Sequence, residues 1–293
     1  MRLGDAPDSD NFEDRTGHSG ASLGGMGGGA MGLIFSLVAS RFGIVGIIIL
    51  ALGYCALTSL GGGGGLLGGG SGPSSPSESR LTQEQKNLLV GVLESTDQVW
   101  GQIFAASGQR YAEPKLVAYT GGTQTSCGAG QAAMGPFYCP GDQSIYIDPD
   151  FFNELARRFG APGDFAQGYV IAHEVGHHIQ NLQGTLDRAQ AAQARLGKAG
   201  GNQVQVGVEL QADCYAGVWA AIAKSADGQP LLEPGDIEEG MRAAEAIGDD
   251  TLQKQSQGVV VPESFTHGSS AQRMEALRRG LQSGNPASCN YAR

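Results

Sequence analysis

Positive charge is scarce in this chain. Its 293 residues carry 19 Lys and Arg against 29 Asp and Glu, a formal net charge of -10. A nucleic-acid-binding surface needs a basic face, so that class of function is excluded. The acidic residues are scattered rather than blocked, which reads as a solubilising surface and not a binding tract. Histidine and cysteine are scarcer still, at five each, so a site built on imidazole or thiolate has few positions to draw on. Long hydrophobic runs are also wanting. The stretch that reaches bilayer length is Phe42 to Leu60. Glycine, by contrast, is abundant at 48, with much of it in the first 80 residues, which do not read as globular.

Residues 1–41 are rich in Gly, Ser and Asp and predict a disordered tail. Residues 42–60 are almost wholly apolar, about 19 residues against the roughly 20 that span a bilayer. The run exceeds the apolar core of a signal peptide and no small-residue cleavage site follows, so a single transmembrane helix is expected. Arg2, Arg15 and Arg41 precede it and the next basic residue is Arg80, which places the tail inside and the remainder outside. Residues 61–80, Gly-rich and then Ser- and Pro-rich, predict a flexible linker. Residues 81–293 are enough for one sizeable core.

Within that core segment lies His173-Glu174-Val175-Gly176-His177. Residues four apart on a helix share a face, so His173 and His177 can aim both imidazoles at one zinc ion. Glu174 is placed to take a proton from water beside that ion. The bland alternative is an exposed helix with a chance spacing. Ile171, Ala172, Val175, Ile179 and Leu182 recur at helical spacing and argue for burial instead. Catalytic zinc needs a third protein ligand. The metzincin class would have Gly at 180 and His at 183; this chain has Gln180 and Gln183, which excludes it. His18 lies in the tail and His178 points off the ligand face.

Glu209 and Asp213 are four apart in a second helix-patterned stretch, with Val208, Ala212, Tyr215, Ala216, Trp219 and Ile222 as its apolar positions. The plain reading is a solvated acidic face. Yet Ala212, Ala216 and Gly217 are small enough for close approach of another helix, and Gly176 offers a matching flat spot. Glu209 would then complete the zinc shell, and Asp213 would accept the outer N–H of a ligand histidine.

This pairing of motifs resembles the gluzincin pattern of zinc metallopeptidases. More closely, Ile171 to Gln180 and Glu209-Leu210-Gln211-Ala212-Asp213-Cys214, behind a Gly-rich membrane-proximal start, resemble the bacterial neutral zinc metallopeptidase family over nearly the whole chain. The resemblance implies a zincin-like fold, Zn2+ as cofactor, a protein or peptide substrate and a single N-terminal anchor in the cytoplasmic membrane. Thr266-His267-Gly268 through Arg273 is similar to a Thr-His-Pro-x-x-x-Arg segment of membrane-linked gluzincins. There the histidine stabilises the oxyanion, which makes His267 a second catalytic candidate. Gly268 replaces the proline, and a role for His267 as a residue leading into a helix capped by Ser269 stays open.

Cys127, Cys139, Cys214 and Cys289 fall in the exported part, where an oxidising compartment permits two bridges. Cys127–Cys139 is favoured because the two flank a short Gly-rich excursion, which leaves Cys214–Cys289. Buried thiols, or Cys214 as a zinc ligand, are the alternatives. Helices are expected over 81–105, 149–159, 165–182, 204–226, 236–247 and 270–280, with strands at 115–120 and on either side of a turn at 140–143. The fold class is therefore α+β, mainly helical with a small sheet. The 137–148 hairpin, or Ala132-Ala133-Met134 before it, is the candidate edge for an extended substrate. The function expected is a membrane-anchored, extracytoplasmic zinc peptidase with Glu174 as general base. A membrane-tethered binding domain with a structural zinc is the alternative.

Overall fold

A computed structural model describes residues 1–4, 8–17 and 79–292. The expected transmembrane helix at 42–60 lies outside the described residues. Among those that are described, no helix is long and apolar enough to cross a membrane.

The architecture is α+β and mainly helical. In chain order the elements are strand β1 (Phe12–Asp14), helix α1 (Gln83–Ala106), strands β2 (Lys115–Ala118), β3 (Gly122–Thr125), β4 (Gly128–Gln131), β5 (Phe137–Cys139) and β6 (Ser144–Ile147). Helices α2 (Asp150–Arg157), α3 (Asp164–Leu182), α4 (Thr185–Gln193), α5 (Lys198–Ile222), α6 (Asp236–Ala246), α7 (Asp249–Gln257) and α8 (Ser270–Ser283) follow. One sheet has the order β1-β2-β6-β5, with β1 and β6 parallel to β2 and β5 antiparallel to β6. A separate hairpin pairs β3 with β4.

The apolar periodicities decide what is buried. Along α1, Leu89, Val92, Leu93 and Trp100 enter the core, and Thr82 begins the helix with a reciprocal cap to Gln85. Along α3, Phe165, Tyr169, Ile171, Val175 and Ile179 are fully buried. Trp219 of α5 stacks on Phe165 and donates its indole N–H to Ser95 Oγ of α1 at 2.9 Å, which ties the three long helices together. Pro149 caps α2 rather than sitting inside it.

Close helix approach rests on glycine. A Cβ on Gly176 would lie 2.9 Å from Ala212 Cα, so α3 and α5 touch there as the small residues suggested. Gly217 serves a different neighbour: its added Cβ would meet Leu277 O of α8 at 2.2 Å. Both expected disulfides form, Cys127–Cys139 and Cys214–Cys289, so Cys214 is removed from any metal shell.

The beginning of the chain departs from the expected disordered tail. Residues 12–14 are the edge strand β1, in register Phe12↔Leu116, Glu13↔Val117 and Asp14↔Ala118. Met1, Leu3 and Phe12 pack against the core, and Arg2 Nη1 donates to Pro230 O and Leu232 O at 2.7 and 2.9 Å. Low average hydrophobicity concealed a segment that an open sheet edge can order.

Candidate metal centre

The helical spacing of α3 places His173 and His177 one turn apart on the side facing α5. Their rings stand nearly perpendicular with centroids 4.7 Å apart. Glu209 of α5 meets both: its Oε2 is 3.2 Å from His173 Nε2 and 3.5 Å from His177 Nε2. Zinc bonds of about 2.0–2.1 Å in a tetrahedron separate ligand atoms by roughly 3.3–3.4 Å. The two N···O distances bracket that value. The donor atoms of the three residues lie within 4.8 Å of one another, with His173 and Glu209 buried and His177 partly so.

The outer ring nitrogens are already engaged, which aims the inner ones. His173 Nδ1–H donates to Asp213 Oδ1 at 2.8 Å, and His177 Nδ1–H donates to Gln180 Oε1 at 2.9 Å. Gln180 is held in turn by donating to Val208 O and Gln211 Oε1. Glu209 Oε1 accepts from Gln205 Nε2 at 2.7 Å, which leaves Oε2 turned to the histidines. Each tautomer presents its Nε2 lone pair to one point. Gln180, which ruled out one class of zinc site in the sequence, orients His177 toward the candidate site.

Asp213 is the hub of a buried ionic network that sequence reasoning did not assemble. Tyr169 OH donates to its Oδ1 at 2.6 Å. Arg273 grips it from α8, Nε to Oδ2 at 2.9 Å and Nη2 to Oδ1 at 2.8 Å. Arg273 Nη2 also donates to Tyr169 OH at 3.1 Å. Asp213 has no exposure and Arg273 only 3 %. Burial would push the Asp213 carboxyl up, but Arg273 and His173 together hold it well below the ordinary value. The sequence signal for Arg273 was its place six residues after His267; its partner could not be read there.

Without a metal, His173 carries its proton to about pH 10: burial opposes the charge, but Asp213 and Glu209 outweigh it. His177 is raised too, its burial overcome chiefly by Glu209. Glu209 is held well below its ordinary value, as the positive charge of His177 and His267 overcomes desolvation. A divalent cation would replace these protons, so metal binding here releases protons as pH falls toward neutrality and below. Glu174 is buried beside the triangle on α3 and is not one of its three donors.

His267 stands on the loop before α8, outside the triangle but close enough to Glu209 that this carboxylate, with Asp249, raises its pKa against the effect of burial. Its side chain keeps 29 % exposure. Asp249 Oδ2 accepts the backbone N–H groups of Thr266, His267 and Gly268 at 2.7, 2.7 and 3.1 Å, pinning the loop. Asp249 was not singled out in the sequence; a Gly-Asp-Asp start to a helix was its only signal. Gly268 has φ +91°, which proline cannot adopt, so the loop follows a path that the Thr-His-Pro pattern could not take. Ser269 caps α8 with Gln272 in a reciprocal box. His178 is buried on another side of α3, donating from Nε2 to Ala112 O at 2.6 Å and accepting at Nδ1 from Tyr138 OH of β5 at 3.0 Å.

The chain is similar to the uncharacterized protein YpfJ of Escherichia coli strain K12, 47 % identical over 295 residues that cover 99 % of this chain and 98 % of that one. It is also similar to the uncharacterized proteins Rv2575 of Mycobacterium tuberculosis and Mb2605 of Mycobacterium bovis, 44 % identical over 210 residues covering 69 % of each chain. No solved structure matches it. Residues 1–292 match one family over essentially their whole length, and the chain belongs to it: the family described as "Putative neutral zinc metallopeptidase".

Proposed function

We propose that this protein is a zinc-dependent endopeptidase of zincin-like fold, acting outside the bacterial cytoplasm and associated with the membrane through residues 42–60. The observation that carries the reading is the triangle of His173 Nε2, His177 Nε2 and Glu209 Oε2, with its 3.2 and 3.5 Å edges and the outer nitrogens pinned by Asp213 and Gln180. The two disulfides favour an oxidising compartment.

Zinc held by His173, His177 and Glu209 would act as a Lewis acid on the scissile carbonyl and on water. Glu174 takes the proton of the attacking water and hands it to the departing amine. His267, kept protonated by Glu209 and Asp249, donates to the negative charge growing on the carbonyl oxygen. Arg273, Asp213 and Tyr169 hold His173 still while this occurs. β5 ends the sheet and lies against α3 through Tyr138, whose hydroxyl also accepts from Asn181 Nδ2 at 2.9 Å. An extended peptide laid along that edge by strand addition would pass close to the site.

Glu174→Gln is the test. Zinc content should be retained while hydrolysis of unfolded protein substrates falls by at least the 100-fold typical of a lost general base. Unaltered cleavage rejects the mechanism. A parent protein that binds zinc and cleaves no peptide would instead be a tethered domain with a structural metal.

A further inference from the structure

We propose that residues 1–4 and 8–17 and the domain of residues 79–292 lie on the same face of the membrane, as parts of one folded unit. This stands independently of hydrolysis. The first observation is that the start of the chain is built into the fold. Leu116 N donates to Asn11 O at 2.8 Å and Arg15 N to Ala118 O at 2.7 Å, on either side of the β1–β2 register. Asn11 Nδ2 reaches Glu113 Oε2 at 2.6 Å, and Arg2 N donates to Leu231 O at 2.9 Å. Leu3 sits so close to α1 that a Cβ on Gly91 would be 3.3 Å from its own Cβ.

The second observation concerns the two ends of the intervening segment. Arg80 N donates to Thr16 Oγ1 at 2.9 Å, so the chain returns to the point it left. A single crossing would put β1 and β2 on opposite sides of about 30 Å of hydrocarbon, where none of these bonds could form.

Two of the three arginines that assigned the tail to the cytoplasm, Arg2 and Arg15, have partners within the fold, and Arg41 lies outside the described residues. Arg2 is bonded to the carbonyls of Pro230 and Leu232, and Arg15 pairs with Glu13 at 2.7 Å while donating to Thr123 Oγ1 and Gln124 O. An arginine bonded into a folded domain is not a free juxtamembrane charge, and the basis of the single-pass orientation weakens accordingly.

The experiment uses the full chain in spheroplasts, with Cys55→Ser as background and single exposed cysteines at Asp8→Cys or Lys254→Cys. A membrane-impermeant maleimide is applied before and after permeabilisation, and the protein is followed in the membrane fraction. The two positions should behave alike, both labelled at once or both only after permeabilisation. Labelling of one with protection of the other overturns the proposal, as does recovery of all the protein in the soluble fraction. A second variant tests the docking directly. Leu3→Cys with Gly91→Cys places two Cβ atoms within a few tenths of an ångström of the disulfide range of roughly 3.5–4.5 Å. With a protease site inserted between residues 61 and 78, the N-terminal fragment should stay attached after cleavage under a membrane-permeant oxidant and separate on reduction. Separation without reductant overturns the proposal.

Discussion

Gly280→Ala should weaken both the fold and the metal centre, although alanine is the better helix former by about 1 kcal/mol. A Cβ on Gly280 would lie 2.0 Å from Cys214 O, 2.7 Å from Val218 N and 2.8 Å from Gly217 Cα. All three are backbone atoms of α5, so no rotamer change relieves the contact. α8 has to withdraw by about an ångström, and overpacking of this kind costs about 1–3 kcal/mol. Arg273, two turns earlier on α8, holds Asp213 through bonds of 2.8 and 2.9 Å, which such a shift carries past hydrogen-bonding range. Fully breaking a buried ion pair costs about 3–5 kcal/mol. With partial loss, and after subtracting the propensity gain, the net is about 2–4 kcal/mol of destabilisation. For a domain of this size that lowers the Tm by roughly 5–15 °C. Thermal unfolding of the detergent-solubilised full chain, with a zinc competition titration alongside, provides the assay. Gly101→Ala is the control, because its Cβ meets nothing nearer than Tyr111 Cδ1 at 4.0 Å and should stabilise α1. Gly280→Ala as stable as the parent, or Gly101→Ala equally destabilised, would refute the reasoning.

Arg273→Met should destabilise the protein by about 3–5 kcal/mol, because it strands the Asp213 carboxylate. Adding Asp213→Asn should recover part of that loss in denaturant unfolding while leaving zinc affinity about 10–100-fold below the parent. Asp97, buried on α1 with Oδ2 unpartnered, has its pKa raised to about 8, by burial first and then by Glu113 and Glu94, against the Tyr111 hydrogen bond. Its folded pKa exceeds the ordinary 3.8, so the folded state holds this proton more tightly. The stability it contributes is complete below about pH 4 and is lost as pH rises through about 8, with a slope of up to about 1.4 kcal/mol per unit. Asp97→Asn should flatten that fall, read as denaturant midpoints across the interval. Removing Cys214–Cys289, which closes 75 residues, should cost about 4.5 kcal/mol in the chain-entropy model, against about 2.8 for Cys127–Cys139, which closes 12. Paired Cys→Ser variants unfolded without reductant would rank the two.

What was legible in the sequence was whatever depends on local period. The spacing of Ile171, Val175 and Ile179 announced α3 within a residue or two, and α1, α5 and α6 followed from similar stripes. Elements without an apolar stripe went unseen: α4 and α7 are polar around most of their circumference, and the β3–β4 hairpin is built from Gly, Thr, Gln and Ala without alternation. They are ordered by what they pack against, which no local window contains. β1 is the extreme case, three residues in a polar, glycine-rich tail that pair because β2 has a vacant edge.

The candidate site divides in the same way. The four-residue repeats His173–His177 and Glu209–Asp213 determined by themselves that each helix presents two polar groups on one face, because helical geometry is local. That the two faces meet, with Glu209 turned inward and Asp213 outward to His173, was decided by the contact of Gly176 with Ala212. Tertiary packing alone brought Arg273 onto Asp213 and Asp249 beneath His267, across gaps of 60 and 18 residues. It also brought Thr16 back to Arg80. Spacing along the chain specifies which side chains share a face; only close packing of distant backbones specifies which faces meet.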